Sequence, residues 1–135
     1  MNGIYPSLST QSAGGPVAQA VQQASQRTGI DFGYLMDVAR VESNFDTDAK
    51  AATSSARGLF QFTNQTWLST LDQHGASQGL GWAAQAISRD SSGRFSVNDA
   101  GLRNQIMSLR DDPTVASGMA AALTADNRAY LEPRL

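Results

Sequence analysis

The sequence contains no cysteine and a single histidine, His74. The first absence excludes disulfides, thiol catalysis and zinc–thiolate sites. The second excludes a His-rich metal centre and leaves a Ser-His-Asp triad without support. No metal and no cofactor are therefore expected. No apolar run reaches the roughly 20 residues that span a bilayer as a helix. Charge is also sparse: 16% of residues are charged, the formal net charge is −2, and Lys and Arg are scattered singly. Such a chain has no strong field to draw in nucleic acid or an anionic membrane. Met1 to Pro16 has neither a positive n-region nor a long apolar core, so no signal peptide is read there.

What is present suits one domain. The chain has 135 residues, 41% of them apolar, enough for a hydrophobic core. Residues 2–15 are rich in Gly, Ser and Thr and read as a flexible N-terminal arm, with a single domain over 16–135. Pro16 suits a first helical turn, and Val17, Ala20, Val21 and Ala24 follow at helical spacing up to Gly29. Asp31 is a cap for a second helix with the stripe Leu35, Val38, Ala39 and Glu42. Residues 43–57 are small and polar and read as a loop. Asn64 is read as a cap for a helix carrying Trp67, Leu68 and Leu71. A short helical piece is expected near Trp82 to Ile87, then a turn-rich connection over 89–96. Asn98 or Asp99 opens the next helix, through Leu102 and Ile106. Asp112-Pro113 is a cap-plus-first-turn signal for an Ala-rich helix through Met119 and Leu123. No segment alternates like a sheet for long, so the fold class is mainly α.

Glu42 stands out because its spacing places it on the apolar side of its helix, four residues after Val38 and seven after Leu35. It also lies at the negative end of the helix macrodipole. Burial and that dipole end each raise a carboxyl pKa, and a Glu kept partly protonated near neutral pH is what acid catalysis of glycoside cleavage requires. The bland alternative is a solvated Glu, or one paired with Arg40 or Arg57. The loop after Glu42 leads to Gly58-Leu59-Phe60-Gln61. Gly58 permits close backbone approach, Leu59 and Phe60 can anchor the loop, and the amide of Gln61 suits sugar hydroxyls and acetamido groups.

Glu42-Ser43-Asn44-Phe45, followed by Ala51-Ala52-Thr53-Ser54-Ser55-Ala56-Arg57-Gly58-Leu59-Phe60-Gln61-Phe62, resembles the signature of soluble-type (SLT domain) lytic transglycosylases. The resemblance is clear over about residues 30–72. A looser likeness runs from Asp112-Pro113 through Gly118 to Tyr130-Leu131. It implies a lysozyme-like fold and peptidoglycan glycan strands as substrate. It further implies non-hydrolytic cleavage of the MurNAc–GlcNAc β-1,4 bond to 1,6-anhydroMurNAc ends, in the periplasm or cell envelope. Glu42 takes the place of the catalytic acid/base. Ser43, Gln61, Phe60 and Gly58 match the residues around the substrate. The family's later Ala-Tyr-Asn-Ala-Gly-like segment, whose Tyr faces the catalytic Glu, does not occur before Leu135. Two expectations follow: a chain lacking the family's C-terminal helices, or a divergent member.

Two rivals stay in view. A hydrolytic lysozyme on the same fold needs a second carboxylate, for which Asp46 and Asp48 are at hand, although a solvated role fits their polar loop better. A non-catalytic peptidoglycan-binding or scaffold module needs no buried acid. Of the remaining residues, Trp67, Trp82, Phe32, Phe45, Phe62, Met107 and Met119 read as core. His74 reads as a helix C-cap or a solvated side chain. Arg57 either steadies the loop before Gly58 or contacts Glu42.

Overall fold

The computed structural model describes residues 7–131, with side chains from 15 to 129. The stripe Val17, Ala20, Val21 and Ala24 is buried along one face of α1 (Ser7–Thr28), and Gly29 ends that helix with φ +79°. The start differs from expectation. The helix begins at Ser7 and carries Pro16 inside it, so residues 7–15 are helical rather than part of a loose arm. Pro16 lacks an N–H and costs the helix one bond, but the small residues before it still adopt helical dihedrals. Residues 1–6 of the expected arm lie outside the described residues.

Asp31 caps α2 (Phe32–Ser43), accepting from the Tyr34 amide at 2.8 Å. Leu35 and Ala39 turn inward from it. The remaining elements are α3 (Asn64–His74), α4 (Gly81–Ala86), β1 (Ile87–Arg89), β2 (Phe95–Val97), α5 (Ala100–Ser108) and α6 (Pro113–Leu131). Asp99 caps α5 through the Leu102 amide, and Asp112 accepts from the Thr114 and Val115 amides at the start of α6. The first residue of α3 is Asn64, which does not cap it. Thr63 holds the cap position, and the Asn64 amide donates to the Ser55 hydroxyl at 2.9 Å.

The centre of the molecule is α6. Residues 116–122 are buried on every side, which marks a helix enclosed by its neighbours. Ala, Ser and Gly dominate that stretch, so α1, α2 and α3 can approach its axis closely; α1 covers it most extensively. Trp67 fills the space between α3 and α5. Its indole N–H donates to the Ile106 carbonyl at 2.9 Å, and its ring meets Phe62 edge-on at 4.9 Å. Phe62 is core, as expected, whereas Phe45 is only half-buried and packs against the core from outside. Trp82 (43% exposed) and Phe32 (37%) are not core. Both sit in the first turn of a helix, where the chain has just left the interior.

The two strands form an antiparallel hairpin in register Ile87↔Val97 and Arg89↔Phe95, which the turn-rich reading of 89–96 did not include. Gln65 of α3 completes it. Its amide nitrogen donates to the Phe95 carbonyl at 2.8 Å and its amide oxygen accepts from the Phe95 N–H at 2.9 Å, as a neighbouring strand would. The turn is organised by Asp90, whose Oδ1 accepts from the Ser92 hydroxyl, the Ser92 amide and the Arg94 amide. The Ser92 hydroxyl bond, followed by the Arg94 amide, holds the Asp90 carboxyl below the ordinary value of 3.8. A depressed carboxyl stabilises the fold above its unfolded value and loses that contribution as pH falls through the folded one. Acidification below about pH 4 is therefore expected to lower the amide protection factors of residues 90–94 before those of α3; simultaneous loss would contradict this.

His74 is neither a cap nor solvated. Its Nε2 lies 2.5 Å from Asp126 Oδ2, joining the end of α3 to α6. Asp126 lies 52 positions away in the sequence, beyond the reach of a local reading.

Candidate active site

The last turn of α2 turns back sharply. Asn44 (φ +52°) and Phe45 (φ +65°) are both left-handed, and their amides return to the Arg40 and Ala39 carbonyls. This closes the helix as a glycine C-cap otherwise would. Half-buried Phe45 anchors the exit. The chain then forms a small bridged loop. Lys50 opposes Arg57, Arg57 opposes Phe62, and Gly58-Leu59-Phe60-Gln61 makes the tight turn, closed by the Gln61 amide on the Gly58 carbonyl at 3.1 Å.

Gly58 is required twice over. Its φ is +88°, and a Cβ there would collide with the backbone carbonyl of Arg110. Leu59 and Phe60 are buried anchors. Gln61, at φ +54°, turns its side chain back into the loop, where Nε2 donates to the Ala49 and Gly58 carbonyls. Both amide protons are thus committed to the loop. Only Oε1, an acceptor, is left for a ligand among the described contacts.

Ser43 joins the two halves of the motif. Its hydroxyl lies 2.8 Å from the Leu59 carbonyl and 2.9 Å from the Ala39 carbonyl of its own helix, and its single proton serves one at a time. Leu59 is fully buried, and the hydroxyl is the donor its carbonyl has among the described residues. Ser43→Ala is expected to cost about 1–2 kcal/mol, the penalty for a buried carbonyl left without a partner. Urea unfolding checks this. A cost near zero would mean that the hydroxyl does not hold the turn.

Glu42 departs from its expected setting. Its side chain is exposed, as are Arg40 and Val41 beside it. The apolar stripe gives the side of α2 on which Glu42 lies, but the last turn of the helix runs beyond the cover of its neighbours. Burial therefore supplies no argument for an acid at this position. Placement remains. Val38, one turn earlier on the same face, lines a cavity of about 240 Å³ with Phe60, Gln61, Thr63, Leu123 and Thr124. Phe60 and Gln61 are thus at the cavity wall, whereas Ser43 and Gly58 act behind it, on the turn.

Arg57 contacts Asp111, not Glu42. Its Nε lies 2.9 Å from Oδ1 and its Nη2 engages Oδ2, a bidentate pair. The Asp111 hydrogen bond holds the Arg57 pKa above its ordinary value. Arg110, buried at 5% exposure, donates from Nε to the Met107 carbonyl and from Nη1 to the Ser55 and Phe62 carbonyls. Burial, then the charge of Arg57, pushes its pKa down. The Arg110-Asp111 pair is thus the outer support of the motif loop. In the sequence it is overshadowed by the Asp112-Pro113 cap signal that follows. Two opposite charges set just before a helix start were the available signal. Asp46 and Asp48 are both exposed. They crowd each other, and the Asp46 hydrogen bond, followed by its charge, raises the Asp48 pKa.

A mainly helical fold around an enclosed central helix, with a small hairpin and a Glu-Ser helix end bonded to a Gly-Leu-Phe-Gln turn, is consistent with a small lysozyme-like domain. Residues 19–79 match the family model of the transglycosylase SLT domain. The matched segment runs from within α1 to Gly79 and contains both halves of the motif. SLT domains are transglycosylase-type domains that act on peptidoglycan. No described helix is long and apolar enough to cross a membrane.

Proposed function

We propose that the chain is a lytic transglycosylase that cleaves the MurNAc–GlcNAc β-1,4 bond without water, with Glu42 as its only acid/base, in the periplasm or cell envelope. The domain is taken to run from residue 16 to 135, beyond the matched segment. The observation that carries the reading is the Ser43 hydroxyl against the Leu59 carbonyl. It ties the helix end that carries Glu42 to the Gly-Leu-Phe-Gln turn, within the segment matched by the family model.

The exposed carboxyl makes the substrate part of the site. A sugar ring seated over Glu42 removes it from water, and desolvation favours the neutral acid, the form that donates. Glu42 then protonates the glycosidic oxygen as the C1–O bond breaks. The substrate's acetamido group shields the cationic C1, as in substrate-assisted glycosidases. The resulting carboxylate takes the proton from the muramic C6 hydroxyl, whose oxygen bonds to C1. The 1,6-anhydro ring forms, Glu42 is again protonated, and no water is consumed. Phe60 and Gln61 line the cavity beside Val38, with Gln61 Oε1 able to accept from a sugar hydroxyl or acetamido N–H. Ser43 and Gly58 hold the turn in position.

Digestion of purified sacculi followed by mass spectrometry tests this. Anhydro ends support the transglycosylase. Reducing ends support the hydrolase, with Asp46 or Asp48 as second carboxylate. The open setting of Glu42 favours one further reading, a peptidoglycan-binding module without catalysis. Sacculus binding with no product would establish it.

A further inference from the structure

Behind the Gly58 turn lies a second cavity of about 290 Å³, lined by Lys50, Ser54, Ser55, Arg57, Asn64 and Arg110 among others. Its chemistry is one-sided. Lys50 and Arg57 are direct partners in an antiparallel bridge, which sets two like charges on one face. Like charges so placed repel, and because Asp111 already balances Arg57, the charge left open is that of Lys50. Arg110 brings a third positive charge, almost fully buried and without a carboxylate partner among the described residues. Its Nη2 makes no hydrogen bond there, while Nε and Nη1 are spent on backbone carbonyls. Asp111 is engaged by Arg57, and Asp48 acts on Arg57 only through its charge.

The hydroxyls follow the same pattern. Ser54 Oγ accepts from the Ala56 amide and Ser55 Oγ accepts from the Asn64 amide. Each hydroxyl proton therefore remains available to a ligand. Two O–H donors, an ammonium and a guanidinium nitrogen line the same cavity. A carboxylate, with two acceptor oxygens and one negative charge, fits that arrangement.

We propose that this Lys50-Ser54-Ser55-Arg110 cavity is a carboxylate subsite that holds a free carboxylate of the peptide stem on muramic acid, next to the site of glycan cleavage. The identity of the ligand rests on the peptidoglycan reading above. The subsite adjoins the candidate cleft because residues 60–64 form a shared wall: Phe60, Gln61 and Thr63 face one cavity and Asn64 the other. Lys50 and the serines select the charge, and Arg110 fixes its position.

The test is an NMR titration of the full chain with three probes: a stem tripeptide with free carboxylates, the same peptide fully amidated, and acetate. The free-acid peptide is expected to shift the amides of residues 50–57, and the amidated peptide is not. Lys50→Ala should weaken the free-acid peptide about tenfold, the loss of one charge-assisted contact. Ser54→Ala should weaken it several-fold by a second route that leaves net charge unchanged. Absence of shifts, equal binding of the amidated peptide, or unaltered binding by both variants overturns the subsite. Acetate binding as tightly as the peptide shows an adventitious anion only and overturns the stem assignment. Failure here is separable from failure of the proposed function. A chain that cuts peptide-free glycan but ignores the peptide retains its activity and loses the subsite. A chain that binds the peptide but cuts nothing does the reverse.

Discussion

Glu42→Gln is expected to slow muropeptide release from sacculi by about a thousandfold, the range in which removal of a positioned general acid falls. The amide keeps the size and the polarity of the carboxyl but cannot deliver a proton at one step and recover one at the next. Both proton transfers in the proposed cycle use this one group, so no partial route survives its loss. Exposure makes the experiment clean. The Glu42 side chain makes no hydrogen bond among the described residues, and surface substitutions of that kind change stability by at most about 0.5 kcal/mol. Melting temperature and helical circular dichroism should therefore match those of the wild type. Near-normal release by Glu42→Gln would falsify the assignment of the acid/base. Unchanged binding of sacculi by the variant would show that the substitution removed chemistry and left recognition in place.

Gly58→Ala is expected to be the most damaging single-methyl change in the motif, costing about 3 kcal/mol or more through positive-φ strain and overpacking together. The two causes can be separated. Gly79 also has a positive φ, +82°, but a Cβ there meets nothing within 4 Å. Gly79→Ala should therefore show the strain alone, about 1–2 kcal/mol. The excess at Gly58 measures the collision with the Arg110 carbonyl. Because Arg110 also grips Ser55 and Phe62, a displaced Arg110 backbone should carry the turn with it and reduce any glycan cleavage among molecules that remain folded. Equal costs at the two glycines, by urea unfolding, would mean that the close approach at Gly58 relaxes at no expense.

Helices were legible where periodicity and capping chemistry agreed. Val17, Ala20, Val21 and Ala24 bury together, and Asp31, Asp99 and Asp112 each cap the helix assigned to them, because these are local rules with local causes. The hairpin was not legible because three-residue strands are too short to alternate. Its third partner is also a side chain, Gln65, supplied from a helix thirty positions away. The Glu-Ser and Gly-Leu-Phe-Gln segments were recognised as one motif, and the Ser43–Leu59 bond gives the physical link between them. The exposure of Glu42 could not be read from spacing. A stripe of apolar residues specifies direction around a helix axis, whereas depth depends on where neighbouring elements end. Arg57 shows the same limit. Its choice of Asp111 over Glu42 is decided by the approach of a segment 54 positions away.

The enclosure of α6 by α1 bears on how the protein is made. The ribosome releases α1 long before α6, and the Val17–Val21–Ala24 stripe lacks most of its cover until the later helix emerges. Long-range contacts of this kind form late and slow the search for the native state. Synthesis therefore passes through an interval in which an apolar helix face is open to holdase chaperones or to neighbouring nascent chains. Translation arrested before Pro113 should yield a polypeptide that proteases digest readily, and resistance should arise only once α6 has cleared the exit tunnel.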